Sequence, residues 1–194
     1  MTVPPFSKLP PALFERRIIP AMRSPGDLPQ VLELGLPAAI MLKGDIFDIE
    51  RVLNQVGGRL AILLHIDLME GIGRDKAGLR YLKQQFGIAG IVSTRSNLIK
   101  EAHALGLISI LRFFVLDSAA YTTGVHLLNS LQPDAVEMLP GVAVPYIKDL
   151  LAGDVKLPVI ASGLIKTSET IREVLAAGAS AVSTSRPELW HFRP

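Results

Sequence analysis

The sequence predicts an α/β protein, a compact (β/α)8 TIM-like barrel, on three observations. Eight short apolar runs alternate with segments whose apolar residues recur at helical spacing. The third run, Leu60–Asp67, is near-continuously apolar, as in a strand covered on both faces. The last two units end in small residues, Ser162-Gly163 and Ser183-Thr184-Ser185. Strands alternating with helices pair in parallel through right-handed crossovers, and eight such units imply closure. At 194 residues the chain sits just below the usual size of this fold, so its helices must be short. An open doubly wound sheet is the alternative.

The first run is Arg17–Arg23, followed by SPGD, whose Asp27 is placed to cap a short helix carrying Leu28, Val31, Leu32 and Leu34. The second is Ala38–Lys43. Asp45 then caps a helix with Ile46, Ile49, Leu53 and Val56 inward, and Gly57-Gly58 stops it. Leu60–Asp67 is the third run, and Leu79, Leu82 and Phe86 mark the helix after it. Gly90–Thr94 is the fourth; Ser96 or Asn97 starts a helix bearing Leu98, Ala102 and Leu105, closed by Gly106. Leu107–Leu116 is the fifth and longest, with Asp117-Ser118 opening the next helix. The sixth, Ala135–Leu139, precedes Pro140-Gly141 and a helix through Ile147, Leu150 and Leu151. Pro158–Ala161 is the seventh. Thr167 caps its helix, with Glu169 in the first turn and Ile171, Val174 and Leu175 inward; Gly178 ends it. Ala181-Val182 begin the eighth.

Composition bounds the rest. The chain reads as one domain, 1–194, with a surface lead-in at 1–16 and the barrel at 17–190. No apolar run is long enough to span a bilayer, so no membrane partner is expected. Cys is absent, which excludes disulfides and thiolate metal sites, and a cytoplasmic location is the default. A formal charge of +2 permits nucleic-acid binding without indicating it.

In this fold the working residues sit at the C-terminal ends of the strands. Two adjacent strands ending in Ser162, Gly163, Ser183, Thr184 and Ser185 offer hydroxyl and N–H donors that can converge on one anion, phosphate above all. Asp67 ends the third run, on the same face as Ala61, Leu63 and His65. His65, one alternation deeper, reads as a satisfied core residue. Arg112 and Glu137 are charges in the middle of apolar runs five and six, and a charge there must be paired or used. Arg112 is placed to fork onto Glu137. The two form either an interior ion pair or a ligand site. Arg23 and Arg95 stand at strand mouths and could face the cavity; Lys43 could neutralise phosphate or form a Schiff base, with an ordinary loop lysine as the plainer reading; and Lys166 could reach the anion or face solvent. The P-loop, zincin and nucleophile-elbow patterns are absent, so no catalytic constellation has motif support, and no metal site is assigned.

Taken together, HIDLMEG (65–71), GIVSTR (90–95), LRFFVLDS (111–118), PDAVEMLPG (133–141), VIASGLI (159–165) and AVSTS…LW (181–190) resemble the glycerol-uptake operon antiterminator family of bacteria. The resemblance runs through nearly the whole chain in order. It implies a TIM-like barrel that takes glycerol 3-phosphate as effector, needs no cofactor and acts on a leader mRNA so that transcription passes a terminator. Such proteins commonly carry a Gly-Gly pair after strand seven; here it is Ser162-Gly163, which adds a hydroxyl and a Cβ.

The ligand half of that function also follows from the residues. The Ser and Gly positions suit a phosphate, and Asp67 and Glu137 suit polyol hydroxyls. For RNA, Lys76, Arg80 and Lys83 fall on one stripe of the third helix, and Lys100 shares a face with His103 on the fourth; the plain alternative is a solvated helix face. No RNP-like aromatic cluster is present. Two functions therefore stand: a non-catalytic, ligand-sensing antiterminator, or a small phosphate-binding barrel enzyme (lyase, isomerase or transferase) acting on a triose- or glycerol-phosphate. A homo-oligomer is compatible with either.

Overall fold

The computed structural model describes residues 8–194. Strands β1 (Ile18–Met22), β2 (Ala38–Met41), β3 (Ala61–His65), β4 (Gly90–Ser93), β5 (Ile108–Phe114), β6 (Ala135–Leu139), β7 (Val159–Ser162) and β8 (Ala181–Thr184) are all parallel. They close in the order β1-β8-β7-β6-β5-β4-β3-β2. The (β/α)8 barrel expected from the sequence is the observed architecture. The open sheet is excluded by the pairing of β1 with β8.

The helices between the strands are short. They are α2 (Leu28–Glu33), α3 (Ile46–Val56), α4 (Lys76–Tyr81), α5 (Ser96–Ala104), α6 (Ser118–Leu131), α7 (Lys148–Asp154) and α8 (Ser168–Ala176). A 3-10 turn, Pro187–Leu189, takes the eighth position. Asp45, Asp75, Asp117 and Thr167 each cap a helix by accepting a backbone N–H of its first turn. Asp27 does not cap α2. Its carboxylate accepts from the N–H groups of Arg23 and Ser24, closing the turn after β1 instead. Among the described residues no helix is long and apolar enough to cross a membrane.

Several boundaries differ from the sequence expectation, each for a packing reason. The fifth strand stops at Phe114, where side chains begin to alternate between solvent and core: Phe114 and Leu116 are exposed and Val115 between them is half-buried. A 3-10 segment, Gly141–Ile147, precedes α7, and this turns Leu150 outward. In α3 it is Val52 that faces the core, while Ile46 and Leu53 are half-buried. After α4 the chain continues as a π turn over Leu82–Phe86.

Alternate strand residues build two layers of core. Ile19, Ile40, Leu63, Val92, Ile110 and Ile160 fill the barrel interior. The other parity, including Ile62, Leu64, Ile91, Leu111 and Val136, packs under the helices. The expected surface lead-in needs correction where it is described. Residues 1–7 lie outside the described residues, but Ala12–Arg16 form helix α1, and Leu9 and Leu13 are buried against the interior layer. Burying a leucine contributes about 1.5–3 kcal/mol, so this segment plugs the N-terminal end of the barrel. Lys8 adds a bond to the Leu107 carbonyl and an ion pair of 3.6 Å with buried Asp134.

Candidate functional site

The C-terminal mouth of the barrel holds a cavity of about 330 Å3. Its walls come from the last two strands and their loops: Ser162, Gly163, Leu164, Ile165 and Lys166 on one side, Ser183, Thr184, Ser185 and Arg186 on the other. Ala21 and Arg23 of the first unit, Leu42 of the second, Arg112 of β5 and Leu139 of β6 complete it. All five positions that the small-residue pattern singled out therefore line one cavity, together with Arg23, Arg112 and Lys166.

Local backbone explains why the chain can turn so tightly here. Ser162 and Ser183 are register partners on adjacent strands, so their loops leave the sheet side by side. Gly163 has φ +81, a left-handed conformation that glycine adopts without steric cost. Leu164 follows it at φ +59, an uncommon conformation for a residue with a Cβ, and its side chain is exposed. A Cβ on Gly141 would sit 2.6 Å from the Ser162 nitrogen. Only glycine lets the β6 loop pass so close beneath the β7 loop.

The opposite wall is held by the end of the chain. The Trp190 indole Nε1–H donates to the Thr184 carbonyl at 2.8 Å, and Trp190 is 1% exposed. Arg186 N donates to Thr184 Oγ1 at 3.3 Å. Arg23 Nε donates to Ser185 Oγ at 3.1 Å, which ties the first unit to the eighth across the seam.

Beneath the cavity floor lies a buried polar cluster. Arg112 and Glu137 are register partners, and Arg112 Nε donates to Glu137 Oε2 at 2.6 Å. Glu137 is completely buried; it stands behind Arg112 and does not itself line the cavity. Among the described residues Glu137 Oε1, His65 Nδ1 and Ser183 Oγ have no hydrogen-bond partner. His65 is thus buried but not satisfied, contrary to the core reading. Burial holds its pKa below 6.5, with the Arg112 guanidinium adding to the effect and Glu137 and Asp67 opposing it.

Other sequence candidates lie elsewhere. Asp67 is not a free carboxylate at the mouth: it accepts from Ser93 Oγ at 2.9 Å, Thr94 N at 2.8 Å and Thr94 Oγ1, and pairs with Arg95 Nε at 3.5 Å. Its oxygens are used to fix the β4 loop, and Arg95 is used with it. Lys43 is exposed and outside the cavity lining. The basic stripe is partly consumed. Lys76 pairs with Glu101 at 3.4 Å and the Lys83 ammonium donates to the Leu105 carbonyl, while all four of Lys76, Arg80, Lys83 and Lys100 are exposed. Arg186 was missed. Its signal was a position directly after the small-residue end of the eighth run, with Glu188 two residues on as ion-pair partner at 2.9 Å.

The wall chemistry is one-sided. Four cations, Arg23, Arg112, Lys166 and Arg186, stand with the hydroxyls of Ser162, Ser183, Thr184 and Ser185 around a space of small-molecule size. Arg112 spends its Nε on Glu137, and among the described residues its two Nη groups have no partner. A guanidinium held at one edge and open at the other is placed to accept a second anion. Among the described residues no cluster of three metal-ligating side chains occurs.

Over residues 18–190 the chain matches the family described as glycerol-3-phosphate responsive antiterminator. It is 36% identical to a glycerol uptake operon antiterminator regulatory protein from Listeria monocytogenes, whose crystal structure superposes with a TM-score of 0.85 over 97% of this chain and 98% of that one. A glycerol uptake operon antiterminator-related protein from Thermotoga maritima is 30% identical, with a TM-score of 0.79 over 91% of this chain and 99% of that one. An uncharacterised protein of Escherichia coli K12, YgcP, is 28% identical over 180 residues, 92% of this chain and 93% of that one.

Proposed function

Because the chain belongs to the glycerol-3-phosphate responsive antiterminator family, we propose that it is a non-catalytic sensor. It binds glycerol 3-phosphate in the barrel mouth and, so loaded, acts on the leader mRNA of glycerol-uptake genes in the cytoplasm. The observation that carries this reading is the one-sided wall: hydroxyl and cationic donors around a small cavity, with the buried Glu137 behind Arg112.

In this arrangement the phosphate sits between the β7 and β8 loops, against Ser162, Gly163, Ser183, Thr184 and Ser185. Lys166, Arg186 and Arg23 supply charge at the rim, and Arg112 reaches up from the floor. Glu137 acts as a positioning residue, fixing the guanidinium through Nε so that its Nη edge faces the ligand. Asp67 has no part in holding the polyol, since the β4 loop already uses its oxygens. No cofactor is required.

Calorimetry tests the ligand half. Glycerol 3-phosphate should bind and glycerol should not, because the phosphate supplies most of the charge-assisted hydrogen bonds. The switch is tested by linkage: glycerol 3-phosphate must tighten leader-RNA binding, and RNA must tighten glycerol 3-phosphate binding by the same factor. Equal ligand affinity with and without saturating RNA would rule out this equilibrium mechanism. Chemical conversion of glycerol 3-phosphate by the purified protein, seen by mass spectrometry, would overturn the non-catalytic reading.

A further inference from the structure

The inward-facing positions of the barrel change character one step above its apolar filling. Leu63, Ile110, Ala135, Ile160 and Ala181 belong to that filling. Two residues further along the same strands stand His65, Arg112, Glu137, Ser162 and Ser183, on the same face because side chains alternate along a strand. Three atoms of this polar layer are buried and without a partner among the described residues: His65 Nδ1, Glu137 Oε1 and Ser183 Oγ. Buried polar atoms are ordinarily hydrogen-bonded, so three of them in one layer at the base of a cavity form a recognition surface. Ser183 lines the phosphate end of that cavity and Glu137 holds Arg112, whereas His65 serves neither.

Strand order fixes where His65 stands. In the closed barrel β3 lies four strands from β7, across the mouth from the loops that take the phosphate. Met41 is the register partner of Leu64, so the next position sets Leu42 beside His65, and the Arg112 guanidinium acts on the imidazole electrostatically. Leu42 and Arg112 both line the cavity. His65, 4% exposed, stands behind them at its far end. The other side chains there have nothing to offer: Leu42 is apolar, and Asp67 already accepts from Ser93 and Thr94. Burial and Arg112 hold the His65 pKa below 6.5, so the ring is neutral at pH 7. A neutral imidazole has one N–H and one lone pair, and Nδ1 can therefore pair with a hydroxyl in either tautomer.

We propose that His65 is the specificity-determining residue of the site, its Nδ1 pairing with a hydroxyl at the carbon end of the ligand while the phosphate lies between the β7 and β8 loops. The ligand class is then the phosphate monoester of a short polyol, laid across the mouth from its anion to its hydroxyl. This rests on the reading that the mouth binds glycerol 3-phosphate, and deepens it. The cationic wall by itself would accept any small phosphate ester; the far wall decides among them.

Calorimetry on the full chain compares three probes: glycerol 3-phosphate, n-propyl phosphate, which keeps the carbons and phosphate but has no hydroxyls, and inorganic phosphate. Wild type should bind glycerol 3-phosphate at least about tenfold more tightly than propyl phosphate, which leaves buried polar groups unpaired. His65→Phe keeps a ring and removes both nitrogens. It should lose most of that preference while holding propyl phosphate and inorganic phosphate as wild type does. His65→Leu repeats the test should the larger ring not pack. His65→Asn, whose amide sets a polar atom near the place of Nδ1, should retain the preference. Equal wild-type affinity for glycerol 3-phosphate and propyl phosphate overturns the proposal, whether or not any variant folds. So does a folded His65→Phe or His65→Leu protein with the wild-type preference, or one that weakens all three probes alike, which would make His65 a packing residue. A wild type that binds none of the three removes the phosphate reading itself, an outcome distinct from the failure of His65.

Discussion

Arg112 and Glu137 face each other across adjacent strands at the heart of the barrel, Nε to Oε2 at 2.6 Å, the arginine side chain 11% exposed and the glutamate 0%. Taking two ions out of water is costly, and the attraction between them offsets that cost only while both are present. Glu137→Ala leaves the guanidinium buried without its counter-charge. We predict a loss of about 3–5 kcal/mol in urea denaturation. Glycerol 3-phosphate should restore part of it, since its phosphate is a replacement anion for Arg112. A loss below about 1 kcal/mol, with no ligand rescue, would show that the pair is not the element that orients Arg112.

Ser183 Oγ is buried, lacks a partner among the described residues and lines the cavity. Ser183→Asp sets a carboxylate where the proposed phosphate lies, in a strand whose backbone tolerates any side chain. Ligand at a hundredfold excess over its dissociation constant stabilises a folded protein by about 2.7 kcal/mol. Wild type should show that shift in melting temperature and Ser183→Asp should lose it while still melting cooperatively. Retention of the full shift by a folded variant would move the phosphate elsewhere.

His65 gives a pH signature. Burial and Arg112 hold its folded pKa below the ordinary 6.5. Below 6.5 the unfolded chain takes up a proton here that the folded chain declines, so stability falls as pH drops toward the folded value and then levels. Well above 6.5 both states are neutral at this position and it contributes no slope. Replacing His65 with Asn should flatten the acid side of the stability profile. An identical profile for the variant would mean that His65 titrates alike in both states.

Leu13 tests whether the segment before β1 belongs to the barrel. It is fully buried, so Leu13→Ala should destabilise by about 2–5 kcal/mol. A surface leader would lose almost nothing. Denaturation midpoints of the two proteins decide between them.

Much of the fold was readable because its strands are covered on both faces. Covered strands write themselves as largely apolar runs, broken in the fifth and sixth by Arg112 and Glu137, and Asp45, Asp117 and Thr167 mark helix starts by the same chemistry that caps them. The phosphate-loop candidates were readable for a related reason, since small residues at two adjacent strand ends necessarily meet in space. Position alone put Asp67 at a strand's mouth but could not name the hydroxyls that arrive from the next loop, Ser93 and Thr94, which donate to its carboxylate. Leu9 and Leu13 were misjudged because prolines nearby suggested a surface path, while their burial depends on an open barrel end that exists only after closure. Leu116 and Leu150 read as core from apolarity alone; which way each points is set by where the strand or 3-10 turn stops.

The plug formed by Leu9 and Leu13 has a kinetic consequence. With one end stoppered and Ile19, Ile40 and Leu63 filling the middle, the barrel has a single doorway. A molecule in the cavity must leave the way it came, past Leu164 and the rim. For the proposed ligand, anything that rests across that doorway slows entry and exit by the same factor, so it lengthens residence without changing the affinity of the walls.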